Sequence, residues 1–223
     1  MISAVSPSRS VPSKRELWRR IWGHFVGLPL LSRLFIALRF VILPAGAIIS
    51  AIPQPARRIL DLGCGYGLVS AIVVETTDAD IDAIDLDAQR ITAMQGRLGG
   101  RVRFRVQDLA DPSFDDRYDV VLSVDLFHHL PKTAQEPLID LIYSRLAPGG
   151  LLVFKDIDTR PRYKFAWNWI HDKIVAGGEL NFRPSKDYAA LFRGRGFSVE
   201  PHPVKSVFPY PHYLLLCAKP LDS

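Results

Sequence analysis

Short strand-like runs alternate with longer helical patterns along the chain from residue 58 onward. The runs are, in order, ILDLG, IDAID, RVRFRV, YDVVLSV and LLVFKDI, and the intervening helices are predicted to end near Arg97 and Leu146. This alternation constrains the fold because a parallel strand is reached only through a crossover, which a helix usually supplies. It predicts the α/β class, with a doubly wound parallel sheet covered by helices on both faces.

A glycine-rich turn, DLGCGYG at residues 61 to 67, follows the first strand-like run. Its spacing is D-x-G-x-G-x-G, formed by Asp61, Gly63, Gly65 and Gly67. Glycines in such a turn let the backbone bend sharply and approach a ligand that a Cβ atom would exclude. The dinucleotide fingerprint G-x-G-x-x-G places its third glycine one residue later, so the spacing disfavours a nicotinamide-dinucleotide site.

With Asp85 at the end of the second run, this turn resembles the first motif of the class I S-adenosylmethionine-dependent methyltransferases. The resemblance is close over about residues 57 to 156 and extends more loosely to the strands beyond. It implies a Rossmann-like seven-stranded sheet with an antiparallel last strand, formed by FSVEPHPV and HYLLLCAKP after a helix that begins at Ser185. It also implies S-adenosyl-L-methionine as the cofactor and S-adenosyl-L-homocysteine as the product.

The resemblance further implies a set of cofactor-binding residues. Asp85 would bind the ribose, and Asp108 would bind the adenine amino group, with Leu86 and Leu109 against the ring. The complete predicted set lies in the turn and at the ends of three strands: Asp61, Gly63, Cys64, Gly65, Tyr66, Gly67, Asp85, Leu86, Asp108, Leu109 and Val124.

The methyl acceptor is expected beyond the carboxyl ends of the fourth and fifth strands, where doubly wound folds bind ligands. The segments there are VDLFHHLP at 124 to 131 and KDIDTRP at 155 to 161. His128 and His171 are the predicted catalytic bases for a hydroxyl acceptor, since a neutral histidine can take its proton. His128 and His129 could also be turn residues, and His129 is otherwise predicted to contact the acceptor.

Metal binding is an alternative for the same region, because Asp125, Asp156 and Asp158 could offer oxygen ligands to Mg²⁺. Metal-dependent catechol-type methyltransferases use an Asp-Asn pair on the later strand, and DID is not that pair. No metal is therefore predicted.

Residues 158 to 173, DTRPRYKFAWNWIHDK, concentrate aromatic and charged side chains directly after the fifth strand. We interpret residues 157 to 184 as an inserted acceptor cap, in which Tyr163, Trp167 and Trp169 contact the acceptor near His171. Aromatic rings shape an apolar pocket and exclude water. The alternative is a satellite hydrophobic cluster beneath a loop.

The N-terminal sixty residues are basic, with nine Lys or Arg residues and Glu16 as the single acid. Residues 1 to 13 are predicted to be a flexible tail and residues 14 to 52 an amphipathic arm, followed by the methyltransferase domain at 53 to 223. The Ser13–Glu16 spacing predicts a helix from Lys14, and a second helix carries Leu31, Leu34, Phe35, Leu38 and Ile42 on one side until Pro44. Arginines interrupt every window long enough to span a membrane. The arm is expected to pack as a lid or to lie on an anionic membrane surface.

These features predict a methyltransferase for an apolar or aromatic small molecule, lipid-linked or carrier-bound, with O-methylation favoured. RNA methylation is the alternative, because a basic arm could bind phosphates. The arm's charges interleave with an apolar face, which disfavours nucleic acid as a partner. The two cysteines, Cys64 and Cys217, are far apart and fit a reducing compartment. The expected location is therefore the cytoplasm, at the inner face of the membrane if the arm binds lipid.

Overall fold

A seven-stranded sheet forms the centre of the computed structural model, which describes residues 11–109, 116–160, 180–204 and 210–221. Its strand order is β3-β2-β1-β4-β5-β7-β6, and β7 runs antiparallel to both of its neighbours. The strands are β1 (Arg58–Leu62), β2 (Asp80–Asp85), β3 (Val102–Val106), β4 (Tyr118–Val124), β5 (Leu146–Ile157), β6 (Ser198–Pro201) and β7 (His212–Ala218). The predicted doubly wound α/β fold with an antiparallel last strand is confirmed.

Helices cover the sheet on both faces. They are α1 (Lys14–Ile21), α2 (Leu30–Ile42), α3 (Ala45–Ala51), α4 (Leu68–Thr76), α5 (Ala88–Met94), α6 (Lys132–Arg145) and α7 (Ser185–Gly194). A short 3₁₀ turn, Trp22–Phe25, continues α1, and another, Phe127–His129, follows β4. The last helix begins at Ser185, as its sequence predicts.

Two buried clusters hold these layers together, one on each face of the sheet. The first contains Ile59, Ala83 and Val153 with residues of α4, α5 and the arm. The second contains Leu152 and Phe154 with residues of α6 and α7. Alternate residues of each central strand thus face opposite clusters, as expected for strands buried on both sides. The burial of both faces positions the carboxyl ends of β1, β2, β4 and β5 along one edge.

The arm (residues 14–52) packs on the first face. Ser13 begins α1 by accepting a hydrogen bond from the backbone N–H of Glu16 at 3.2 Å, which is the predicted N-cap. His24 Nδ1 lies 2.9 Å from the carbonyl oxygen of Arg97, and its Nε2 lies 3.2 Å from a Glu75 carboxylate oxygen. These contacts attach the turn after α1 to helix α4 and to the segment that follows α5.

Helix α2 leaves one of its faces exposed. Only Ile36 and Phe40 of its thirteen residues are buried, whereas the leucines at 31, 34 and 38 face outward. In the described part of the chain, no single helix has the length and apolarity to cross a membrane; α2 and α3 reach that threshold only together, across a 69° bend.

Candidate cofactor and acceptor site

The glycine turn between β1 and α4 adopts the backbone that its sequence requires. Gly63, Gly65 and Gly67 have φ values of 70°, 55° and 66°, in the left-handed region. A Cβ on Gly63 would lie 2.7 Å from Leu126 Cδ1, and one on Gly67 would lie 2.8 Å from Phe104 Cζ. Both positions therefore exclude larger residues for conformational and steric reasons. The result is a tight turn at the N-terminus of α4.

Asp85 links this turn to the second strand. Its Oδ2 accepts a hydrogen bond from the N–H of Gly65 at 2.7 Å, and its Oδ1 accepts one from the N–H of Asp87 at 2.9 Å. The carboxylate is half-buried at the carboxyl end of β2. Each oxygen has a second lone pair, so the carboxylate can still accept hydrogen bonds from a diol. This is the chemistry that a ribose needs.

Asp61 lies beneath the turn. Its carboxylate is 1% exposed and accepts a hydrogen bond from Ser70 Oγ at 2.6 Å. Burial raises the pKa of Asp61 to about 7, although the Ser70 hydrogen bond opposes this shift. In the described structure, this carboxylate fixes the first turns of α4 under the glycine loop. Cys64 is buried beside it.

The residues expected around the adenine ring have different environments. Leu86 is 66% exposed, whereas Leu109 and Val124 are 5% exposed. Asp108, after β3, is exposed. Exposed Leu86 is thus available to cover an aromatic ring, and Leu109 offers a packed apolar surface. The Asp85 carboxylate, the glycine turn and the apolar side chains of Leu86 and Leu109 all fit an adenosyl cofactor.

The arm borders the glycine turn through Tyr66. The hydroxyl oxygens of Tyr66 and Ser32 of α2 are 2.9 Å apart, and the Tyr66 ring meets Phe35 edge-on at 6.3 Å between centroids. The Arg90 guanidinium lies 5.5 Å from the centre of the Tyr66 ring. Helix α2 is therefore one wall of the candidate cofactor site.

A charged cluster lies at the carboxyl ends of β4 and β5. Asp125 has a φ of 54°, unusual for a residue with a side chain. Its carboxylate forms an ion pair with fully buried Lys155 and lies 3.3 Å from the guanidinium of Arg39 on α2. Burial alone would raise the pKa of Asp125, but Lys155 and Arg39 outweigh it and hold that pKa below its usual range. Burial and the nearby Lys155 charge lower the pKa of His212 to about 3.

A second polar cluster lies on the opposite face of β5. His128 Nδ1 is hydrogen-bonded to Asp156, and both side chains are buried. The His128 ring stacks on Phe182 at 4.8 Å with an interplanar angle of 7°, and its backbone carbonyl accepts a hydrogen bond from the N–H of Asn181. Burial, followed by the neighbouring His128, lowers the pKa of His129 to about 4.

Three buried polar atoms at this pair have no hydrogen-bond partner among the residues that the structure describes. They are the hydroxyls of Tyr188 and Tyr213 and Oδ2 of Asp156. Folded proteins pair the large majority of such atoms. Their presence around His128 and Asp156 supplies hydrogen-bonding capacity for a polar group of a ligand.

The aspartates considered as metal ligands have separate partners. Asp125 pairs with Lys155 and Arg39, Asp156 with His128, and Asp158 accepts a hydrogen bond from Ser185. Within the ranges that the structure describes, no group of three or more His, Cys, Asp or Glu side chains is placed to hold a metal ion.

Sequence reasoning did not assign roles to Arg39 or Lys155 at the carboxyl ends of β4 and β5, and it considered Asp156 only as a metal ligand. A clue for Lys155 was present, because a lysine inside the apolar run LLVFKDI must find a partner when buried. Four predicted site residues of the cap, Tyr163, Trp167, Trp169 and His171, lie outside the described residues.

The comparisons with known proteins agree with this geometry. A family model described as a methyltransferase domain matches residues 38–202. The ubiquinone biosynthesis O-methyltransferase of Psychrobacter arcticus is 30% identical over 118 residues, which are 49% of this chain and 45% of that relative. The chain thus aligns with less than half the length of that curated relative.

Two solved structures share the fold. An O-methyltransferase family protein from Burkholderia thailandensis superposes with a TM-score of 0.70 at 19% identity, covering 94% of this chain and 70% of that one. Magnesium protoporphyrin IX methyltransferase from Synechocystis PCC 6803, with bound S-adenosylhomocysteine, gives 0.66 at 18% identity, covering 92% and 94%. At these identities the likeness establishes the fold alone.

Proposed function

We propose that this chain transfers a methyl group to an oxygen atom of an apolar or aromatic small molecule. The chain belongs to the methyltransferase domain family and has the class I S-adenosylmethionine-dependent fold. The observation that carries the proposal is the pairing of a cofactor-type glycine turn with a buried His128–Asp156 dyad at the acceptor end. The glycine turn would bind the methyl donor, and the dyad would act on the acceptor.

The cofactor is held by residues of three strands. Asp85 accepts hydrogen bonds from the ribose hydroxyls, the glycine turn admits the methionine portion, and Leu86 with Leu109 contacts the adenine. Asp108, which follows β3, is proposed to bind the adenine amino group. When bound, S-adenosylmethionine supplies an activated methyl group on a sulfonium, so the protein mainly has to orient an acceptor atom in line with it.

The dyad provides a base for a hydroxyl acceptor. With the proton on His128 Nδ1 donated to Asp156, the lone pair of the neutral ring lies on Nε2. Nε2 would take the proton of the acceptor hydroxyl as the oxygen bonds to the methyl carbon, while the bond between that carbon and the sulfonium sulfur breaks and S-adenosyl-L-homocysteine leaves as a neutral thioether. Asp156 stabilises the resulting imidazolium and keeps the ring in one orientation, as an aspartate does for the histidine of a catalytic triad.

Several features support an apolar acceptor. The 3₁₀ turn that carries His128 begins with Phe127, and the His128 ring stacks on Phe182, while Tyr188 and Tyr213 add rings with buried hydroxyls. The cap residues Tyr163, Trp167 and Trp169 are proposed to complete this wall, with His129 at its rim and His171 as an alternative base. The name of the Psychrobacter relative is that of an O-methyltransferase. These observations favour an aromatic or lipid-like acceptor, free or carrier-bound.

The basic arm supports a location at the inner face of a membrane in the cytoplasm, with residues 14–42 in peripheral contact with lipid. An RNA acceptor is less well supported, because the exposed surface of α2 is apolar where phosphate binding would require basic side chains.

Transfer can be tested with purified full-length protein and isotope-labelled S-adenosylmethionine. A panel of phenols and isoprenoid alcohols, matched amines and a mixed RNA would serve as acceptors. The proposal expects label on the phenols or alcohols, with the product stable to conditions that remove methyl esters. Label on RNA alone, or binding of the cofactor with no transfer to any hydroxyl, would overturn it.

A further inference from the structure

One face of α2 is both apolar and exposed. Its stripe consists of Leu30, Leu31, Leu34, Leu38 and Val41, which are 67%, 81%, 57%, 48% and 59% exposed. With 3.6 residues per turn, these positions fall within a sector of about 100° on one side of the helix. Single exposed leucines are ordinary, but a continuous apolar stripe marks an interaction surface.

Positive charge adjoins one end of this stripe. Lys14 Nζ donates hydrogen bonds to the carbonyl oxygens of Val41 at 2.6 Å and Leu43 at 3.2 Å. Helix α1, which begins at Lys14, also exposes Arg15 and Arg19. Because Glu16 is the single acid in the first sixty residues, the arm complements an anionic surface.

The same helix borders the candidate site on its other sides. Ser32 and Phe35 contact Tyr66 of the glycine turn, and Arg39 forms an ion pair with Asp125. A partner bound to the stripe would therefore lie next to the entrance for the acceptor.

We infer that α2 docks on an anionic lipid bilayer through this stripe, and that the acceptor enters the site from that bilayer. The second part of this inference rests on the proposed methyltransferase function. An apolar face with adjacent basic residues is the arrangement of helices that lie in the membrane interface. A second copy of the chain fits less well. In a two-fold dimer built on α2, the basic residues near Lys14 would be repeated on both subunits of one small interface, and a thirteen-residue helix offers less area than stable interfaces usually bury.

Vesicle sedimentation of the full-length protein tests this docking without any acceptor. The test variant replaces three stripe residues, Leu31→Ser, Leu34→Ser and Leu38→Ser, and the matched control replaces another exposed leucine, Leu221→Ser. Vesicles would contain phosphatidylcholine alone or with phosphatidylglycerol. We expect the wild type and the control to bind the anionic vesicles, and the triple variant to bind them at least about 10-fold more weakly. Added salt should weaken binding of the wild type.

Equal binding of the triple variant and the wild type would overturn the inference, as would equal binding to both kinds of vesicle. Equilibrium sedimentation addresses a second copy: a wild-type dimer that the triple substitution dissociates, with no binding to vesicles, would also overturn it. Vesicle binding that follows the expected pattern supports docking even if no hydroxyl acceptor is methylated, so the two proposals can fail separately.

Discussion

Arg39 of α2 lies with its Nη2 atom 3.3 Å from Oδ2 of Asp125, at the end of β4. The contact joins the N-terminal arm to a residue whose backbone has a left-handed φ of 54°. Lys155, fully buried on the neighbouring strand, holds the other carboxylate oxygen. A residue with a left-handed backbone, whose carboxylate is bound by two cations at the carboxyl ends of β4 and β5, is the kind of position where strain is retained for function.

Replacing Arg39 should therefore affect the acceptor more than the cofactor. In Arg39→Gln, Asp125 keeps Lys155 but loses its contact with α2, so the helix and the acceptor site are less well aligned. We expect kcat/KM for the acceptor to fall about 10-fold or more, with unchanged affinity for S-adenosylmethionine by calorimetry. Arg39→Lys should recover part of the loss, and Arg33→Gln on the same helix is the control. A fall in cofactor affinity matching the fall in kcat/KM would contradict this positioning role.

The Lys155–Asp125 pair should make the free energy of unfolding depend on pH in the acidic range. The pKa of Asp125 is lower in the folded protein than in the unfolded chain, so the pair contributes stability above the unfolded value of about 4 and loses it as pH falls further. Urea unfolding at a series of pH values from neutral to acidic measures this loss. A double variant, Lys155→Met with Asp125→Asn, should show a shallower decline.

Lys155→Met alone should be more damaging than the double variant, because it leaves a buried carboxylate with Arg39 as its remaining cation. Breaking such a pair costs about 3–5 kcal/mol. If the single variant is as stable as the double variant at neutral pH, the ion pair is not what stabilises this end of the sheet.

These charged contacts mark the limit of what the sequence could predict. The first five strands, the glycine turn and the cap at Ser13 follow local patterns, so they were predicted from short windows. The last two strands and the helix start at Ser185 were expected from the family resemblance. Arg39 and Asp125 lie in different elements and meet only through the tertiary fold. The outward-facing side of α2 was equally hidden, because its apolar residues are consistent with either burial or lipid contact. Ile36 and Phe40 of the same helix are also apolar, but they are buried.

Asp85 provides a test of the cofactor site. Asp85→Ala removes the proposed acceptor for the ribose hydroxyls, together with the hydrogen bonds from the N–H groups of Gly65 and Asp87. We expect affinity for S-adenosylmethionine to fall by about 1–3 kcal/mol, measured by calorimetry. Asp80→Ala, at the exposed start of the same strand, should bind as the wild type does. Unchanged binding by Asp85→Ala would remove Asp85 from the site.

Gly67 should be required for stability as well as for binding. An alanine there would have a left-handed φ of 66° and a Cβ atom 2.8 Å from Phe104 Cζ. We expect Gly67→Ala to lower the free energy of unfolding by about 1–3 kcal/mol. Gly100→Ala is the matched control, because a Cβ at that position meets nothing within 4 Å. Denaturant unfolding without cofactor separates this effect from loss of a ligand.

The His128–Asp156 dyad predicts a specific pattern of kinetic loss. His128→Ala removes the proposed base and should lower kcat by about 10²-fold or more with a hydroxyl acceptor, while cofactor affinity stays nearly unchanged. Asp156→Asn keeps the ring but no longer stabilises its charged form, so it should also reduce kcat. His129→Ala is the comparison, because burial, followed by the neighbouring His128, lowers the pKa of His129 to about 4 and makes it a weaker base; any contact of His129 with the acceptor should change KM for the acceptor rather than kcat. In the wild type, kcat should decline at acidic pH as the base becomes protonated, and this decline should be absent in His128→Ala. An acidic decline that persists unchanged in His128→Ala would assign the base to another group, with His171 of the cap as the next residue to replace.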